Sequence, residues 1–143
     1  MKKLFAFIFV FSLPACGVSD DKVQIATEKD QAILFALGNS FAKVIHKDIE
    51  SEEQCPVIEL LSINKDKKLS TKNLCQVKIP GYRELHALKD FAYIEFSHYR
   101  LQKPSTILYD IDLAILQGSA FEVTCRAEIK NDIISIGECI KIE

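Results

Sequence analysis

The sequence lacks the short motifs that identify the common enzyme classes. It has no H-E-x-x-H metal motif and no G-x-S-x-G nucleophile elbow, and its three histidines, His46, His86 and His98, are far apart. Its five glycines are isolated from one another, which excludes a glycine-rich phosphate loop. We therefore expect no catalytic residues, no cofactor and no enzymatic activity, because an active site would have to be assembled from residues that no motif connects.

Basic clusters and closely spaced cysteine pairs are also missing. The 143 residues include 18 basic and 20 acidic side chains without a basic patch, which argues against nucleic acid as a partner. None of the five cysteines forms a C-x-x-C pair. The spacing therefore argues against zinc, and we expect no metal site.

A hydrophobic run long enough to span a bilayer is absent as well. The apolar stretch from Leu4 to Leu13 is much shorter than the ~20 residues that a transmembrane helix needs. Two lysines precede this stretch, and Ala15 and Cys16 follow it closely. This layout is typical of a secretory signal peptide that is removed from the mature protein.

The end of the leader carries a resemblance to a known class of protein. Leu13-Pro14-Ala15-Cys16 resembles the lipobox of bacterial lipoproteins, in which the cysteine is lipidated and becomes the new N-terminus. The resemblance implies lipidation at Cys16. Because Gly17 rather than aspartate follows, it also implies a lipid anchor in the Gram-negative outer membrane, facing the periplasm. The leader takes two lysines with it, so the mature chain is more acidic than the full-length net charge of −2.

The remaining cysteines are even in number, which in an exported chain predicts two disulfides. They are Cys55, Cys75, Cys125 and Cys139, and four cysteines allow three connectivities. We favour Cys55–Cys75, because a turn centred on Lys65 would place these two residues opposite each other. We also favour Cys125–Cys139, although simple strand pairing would turn Cys139 to the other face, so this bridge requires a bulge near Gly137.

The length and composition predict a short leader and one domain. Residues 1–15 form the signal peptide, 16–26 the lipidated cysteine and a tether, and 27–143 a single periplasmic domain. Apolar residues with three- and four-residue spacing predict an amphipathic helix over 27–49. They are Ile33, Leu37, Phe41, Val44, Ile45 and Ile49.

The second half of the chain alternates apolar and polar residues, which predicts half-buried strands. Short turns between them predict an antiparallel four-stranded meander over 91–142, and Pro56–Ile63 is either a further strand or the start of a helix. With the helix packed on the dry face of this meander, the expected fold class is α+β.

Tyrosines and carboxylates mark one candidate surface on the wet face of the predicted sheet. Alternation places Tyr93, Glu95 and Tyr99 on this face, beside Asp110 and Asp112. Pairing about Gly118 sets Asp110 opposite Arg126, so the two aspartates suit a solvated ion pair better than a catalytic pair of carboxylates. We expect Tyr93, Glu95, Tyr99, Asp110 and Asp112 to bind a partner protein.

Three functions follow from these expectations. The first is a lipid-anchored envelope protein that acts as a protein-binding or assembly module for another envelope protein. The second is a periplasmic inhibitor or immunity protein against a secreted or incoming enzyme, for which a tethered, disulfide-bonded acidic domain is also suited. An enzyme, the third, is disfavoured by the missing motifs.

Overall fold

The computed structural model describes residues 22–26, 31–46, 55–116 and 118–142, with the backbone alone for 22–26, and these residues form antiparallel β-structure without a helix. The strands are β1 (Lys22–Ala26), β2 (Gln31–Ala36), β3 (Ser40–His46), β4 (Val57–Ser62), β5 (Lys68–Asn73), β6 (Gln76–Val77), β7 (Leu85–His86), β8 (Phe91–Gln102), β9 (Thr106–Ile115), β10 (Ala120–Lys130), β11 (Ile133–Ile136) and β12 (Ile140–Lys141). The fold is therefore all-β over the described residues, and the α+β expectation is wrong. The same residues include no helix that is long and apolar enough to cross a membrane.

The first five strands form an N-terminal sheet in the order β1-β2-β3-β4-β5. The stretch predicted as a helix, 27–49, contains the β2–β3 hairpin of this sheet. Gly38 lies in the hairpin turn with a φ of 69°, a left-handed conformation that glycine adopts without a steric cost. The amide of Leu37 donates to the carbonyl of Ser40 across this turn, at 2.9 Å. The residues of β1, which the sequence assigned to the tether, pair with β2.

The helix prediction failed because β2 and β3 carry apolar residues on both faces. Ile33 pairs with Val44 and faces the core, whereas Leu34 pairs with Lys43 on the opposite face. Phe41 and Ile45 share that outer face. Apolar residues on both faces remove the two-residue alternation of a strand, and the remaining spacing fits a helical period by chance.

The β4–β5 hairpin confirms the strand alternative for Pro56–Ile63. Val57 pairs with Asn73, and Lys65 lies in the turn with a φ of 59°. This register brings Cys55 opposite Cys75, and the two form a disulfide, as predicted.

The C-terminal sheet has the strand order β11-β10-β9-β8, and β12 pairs with β10 beyond the end of β11. The predicted antiparallel meander over 91–142 is therefore present. Residues from both sheets contribute to one hydrophobic core, in which Ile58 and Leu60 from the N-terminal sheet join Ile107, Ile111 and Val123 from the C-terminal sheet. The cover on the dry face of the meander is therefore a second sheet, where the sequence predicted a helix.

A one-residue interruption between β11 and β12 allows the second disulfide. Ala127 pairs with Ile136, whereas Val123 pairs with Lys141, so the last segment contains one residue more than the strand it faces. The extra residue turns Cys139 toward Cys125, and the two are bonded. The predicted pairing and the predicted irregularity near Gly137 are both confirmed.

Candidate functional site

The outer face of the C-terminal sheet, opposite the shared core, carries most of the residues that the sequence singled out. Strands β8, β9 and β10 align in rows across this face, because directly paired residues point to the same side of a sheet. The successive rows are Tyr93–Ala114–Ala120, Glu95–Asp112–Glu122, Ser97–Asp110–Thr124 and Arg100–Leu108–Arg126.

Tyr93 lies on the outer face as predicted. Its side chain is 47% exposed, and its hydroxyl donates a hydrogen bond to the carboxylate of Glu95. That hydrogen bond is the main cause that raises the pKa of Tyr93, with a further contribution from the charge of Asp112. Its neighbours in the row, Ala114 and Ala120, are small, so the Tyr93 ring projects above this part of the sheet surface.

Tyr99 lies in the core, and its expected place on the outer face is wrong. The pairing of β8 with β9 shifts between Ser97 and Arg100, so that two residues of β8 face Tyr109 alone. His98 occupies this bulge with a φ of 48°. A bulge reverses the alternation of the residues that follow it, and Tyr99 is consequently only 4% exposed.

The surroundings of Tyr99 are aromatic. Its ring stacks on Tyr109 with centroids 6.0 Å apart and meets the edge of His46 at 5.3 Å. Among the described residues, its hydroxyl has no hydrogen-bond partner. Burial raises the pKa of Tyr99 and of Tyr109, so both phenols stay protonated. Burial also lowers the pKa of His46 from 6.5, against the opposing influences of Glu95 and a hydrogen bond with Phe96.

Asp110 forms a hydrogen-bonded ion pair, but its partner is Arg100 and not Arg126. The register of β9 and β10 places Asp110 opposite Thr124 and Asp112 opposite Glu122. The cause is the turn: the amide of Ile115 donates to the carbonyl of Ser119, which centres the turn one residue before Gly118. Moving the centre of a turn by one residue shifts the pairing by two and leaves the face unchanged.

The contacts of Asp110 satisfy its carboxylate. Arg100 donates through Nη1 at 2.8 Å and Nη2 at 3.0 Å, and the Thr124 hydroxyl donates at 2.7 Å. Burial alone would raise the pKa of Asp110, which is 8% exposed, but the hydrogen bonds from Arg100 and Thr124 and the charge of Arg100 lower it on balance. The ion pair joins β8 to β9 and the Thr124 hydroxyl adds β10, so Asp110 links three neighbouring strands of the outer face.

Asp112 lies between two other carboxylates, Glu95 and Glu122, on the neighbouring strands. We call Glu95, Asp112 and Glu122 the acidic row. All three are exposed, and none forms an ion pair with a described lysine or arginine. Sequence reasoning missed Glu122 because its place in the row depends on the register.

One set of side chains near the row has donor atoms close enough for a metal ion. Donor atoms of His98, Asp110 and Glu122 lie within 4.8 Å of one another. However, the Arg100 guanidinium already donates to both oxygens of Asp110. A bound cation would lie beside this positive charge, so the cluster supports no metal site.

Exposed isoleucines extend the outer face beyond β10. Ile140 pairs with Thr124 and is 68% exposed, and the amide of Ile142 donates to the carbonyl of Glu122, which puts Ile142 next to the acidic row. Ile133 is also exposed, on β11. The alternation of isoleucine with other residues after Gly137 is the sequence signal for Ile140 and Ile142.

A further concave feature is an open groove of about 320 Å³ beside the β6–β7 hairpin. Lys78, Pro80, Tyr82, Glu84 and Glu138 contribute to its lining. It is open and mostly polar, whereas small-molecule sites are mainly apolar and enclose the ligand. The outer face is therefore the stronger candidate site.

The chain was compared with protein-family profiles, with curated proteins and with solved structures, and none of the three comparisons found a match. The expected lipidation site, Cys16, lies outside the described residues.

Proposed function

We propose that this chain is a lipid-anchored envelope lipoprotein that binds another protein through the outer face of its C-terminal sheet. The proposed surface consists of Tyr93, the acidic row and the exposed isoleucines Ile140 and Ile142. Asp110 contributes by holding the three strands in place, and Tyr99 by packing beneath them.

The observation that carries this proposal is the exposed aromatic and apolar side chains beside charged groups on a rigid sheet. Tyrosine is enriched at protein interfaces because it offers a large contact area and a polar hydroxyl with few rotatable bonds. Tyr93 is fixed further by its hydrogen bond to Glu95. Isolated exposed apolar residues are common on any protein, but here Tyr93, Ile140 and Ile142 share one face with the acidic row.

The leader and the disulfides support an envelope location. The lipobox-like sequence that ends at Cys16 is typical of lipid-anchored proteins, and disulfides persist in oxidising compartments such as the periplasm. We propose the periplasmic side of the outer membrane as the site of action. Intact mass measurement of the membrane-extracted protein tests the anchor, because an acylated chain must begin at Cys16.

Site-specific photo-crosslinking in cells tests the binding surface. A photoreactive phenylalanine analogue replaces Tyr93 or Ile140 on the outer face, and Ile63 in the β4–β5 turn is the control, since it is 56% exposed on the other sheet. We expect a discrete adduct from positions 93 and 140 and none from 63. Adducts from 63 alone, or equal labelling at all three positions, would contradict the proposal.

The identity of the crosslinked protein separates the two binding functions. A resident envelope protein supports an assembly module. A secreted or incoming hydrolase or toxin supports the inhibitor or immunity function, which the acidic row favours if that enzyme is basic.

A further inference from the structure

We infer that the partner presents a cationic segment to the acidic row, with lysine or arginine side chains set among apolar residues. This inference rests on the proposed function, because it names the chemistry of the partner that the outer face binds. Its occupant is a protein segment rather than a free ion.

The acidic row offers three negative charges in a fixed line. Glu95, Asp112 and Glu122 occupy directly paired positions on three adjacent strands. Neighbouring strands lie about 4.8 Å apart, so the row spans roughly 10 Å across the sheet. The ion pair between Arg100 on β8 and Asp110 on β9 lies beside the acidic row on the same face and holds these two strands together.

Some carboxylates elsewhere on the described surface form ion pairs with a lysine or arginine, which those of the row do not. Lys68 pairs with Glu59 on the N-terminal sheet, and Arg83 pairs with Asp90 before β8. Like charges directly opposite each other on neighbouring strands destabilise a sheet, so the acidic row weakens the free protein. Residues that destabilise the free protein and have no structural role are typical of binding sites. Cationic side chains of a partner would neutralise the repulsion between the carboxylates of the row.

The surroundings of the row define the rest of the partner's chemistry. Tyr93 lies at one side of Glu95, and Ile142 lies beyond Glu122 at the far end. Lysine and arginine suit this pattern, because their apolar stems pack against such side chains while their charged ends reach the carboxylates. Nucleic acid and anionic lipid would be repelled.

Binding of a defined peptide tests the inference on the mature exported chain in non-ionic detergent. The probe is the synthetic peptide Ac-KIKVKIK-NH2, and its acidic counterpart Ac-EIEVEIE-NH2 is the control peptide. Affinity is measured by titration calorimetry at low and at physiological salt, and the contact surface is mapped by backbone amide NMR shifts. We expect the basic peptide to bind more weakly as salt is added and to shift amides of β8–β10.

Two matched triple variants separate the row from the overall negative charge. E95Q/D112N/E122Q neutralises the row, and E84Q/D132N/E138Q removes the same number of exposed carboxylates elsewhere. The row variant should lose at least tenfold in affinity and gain about 2–4 °C in Tm, because the like-charge repulsion is gone. The control variant should bind within about twofold of the parent. Tyr93→Ala should also weaken binding, with the salt dependence unchanged.

Equal losses in both triple variants would overturn the inference, because binding would then follow net charge alone. A fall in Tm for the row variant would also overturn it, since the row would then be structural. Ca²⁺ alone is titrated as well: binding of Ca²⁺ to the row, with no effect of Tyr93→Ala on the peptide, would assign the row to a metal ion. If crosslinks from position 93 persist in the row variant, the binding function stands and the inference of a cationic partner is wrong. If the parent chain gives no crosslinks from position 93, the binding function itself is refuted.

Discussion

Substitutions at Tyr99 give the sharpest test of the structure, because the sequence placed this residue on the surface and the fold places it in the core. The ring is 4% exposed and stacks on Tyr109, while its hydroxyl has no hydrogen-bond partner among the described residues. Tyr99→Ala should therefore lower the free energy of unfolding by about 3–5 kcal/mol, as expected for the loss of a buried aromatic ring.

Removal of the hydroxyl alone should have the opposite effect. A buried polar group without a partner costs about 1–3 kcal/mol, so Tyr99→Phe should raise the free energy of unfolding by about 1 kcal/mol or more. For a domain of this size that corresponds to roughly 3–6 °C in Tm. An exposed tyrosine shows neither effect, and Tyr93→Ala should change stability by less than about 0.5 kcal/mol.

Reversible denaturant unfolding of Tyr99→Ala, Tyr99→Phe, Tyr93→Ala and the parent chain measures all four values under one condition. The Tyr93 variant serves as the matched control, because it lies on the same strand before the bulge. If Tyr99→Ala were as mild as Tyr93→Ala, β8 would have no bulge at His98 and Tyr99 would face solvent. If Tyr99→Phe were destabilising, its hydroxyl would have a hydrogen-bond partner.

Three other perturbations have expected outcomes. Arg100→Ala should cost about 2–3 kcal/mol at neutral pH, because it leaves the Asp110 carboxylate buried without its ion pair. Since the pKa of Asp110 is lowered in the folded state, its contribution is lost as pH falls below about 3.8, and denaturant curves in this range should show the difference between variant and parent shrinking. The pKa of His46 is also lowered in the folded state, so on acidification His46 binds a proton at a higher pH in the unfolded chain than in the folded chain. The stability of the parent chain should therefore fall as the pH drops below 6.5. In thermal melts over a series of pH values, His46→Gln should reduce this dependence of Tm on pH. An unchanged dependence would show that another group causes it. Replacing Cys125 and Cys139 together by serine should cost about 3 kcal/mol on the chain-entropy account, since their bridge spans a sequence separation of 14; an unchanged Tm would show that the bridge is not formed.

The strands of the C-terminal half could be predicted because only one of their faces is buried. Ile107, Ile111, Val123 and Ala127 are buried, and the polar residues between them face outward, which gives a clear two-residue period. Local pairing was enough to predict Cys55–Cys75, and together with a bulge near Gly137 it also predicted Cys125–Cys139.

The β2–β3 hairpin of the N-terminal half could not be predicted in this way. Leu34, Phe41 and Ile45 lie on the face opposite to Ile33 and Val44, so the apolar residues no longer alternate. The turn at Gly38 and the abundance of β-branched and aromatic residues were the available signals for a hairpin.

In the candidate site, too, some features could be predicted from the sequence and others could not. The sequence by itself determined that Tyr93, Glu95 and Asp112 share the polar face of a sheet, because alternation along a strand depends only on neighbouring residues. Only the tertiary structure decided that Tyr99 turns inward, that Asp110 binds Arg100, and that Glu122 completes the acidic row. Each of these depends on a bulge or on the register between strands, and both are set by how whole strands fit against one another and against the shared core.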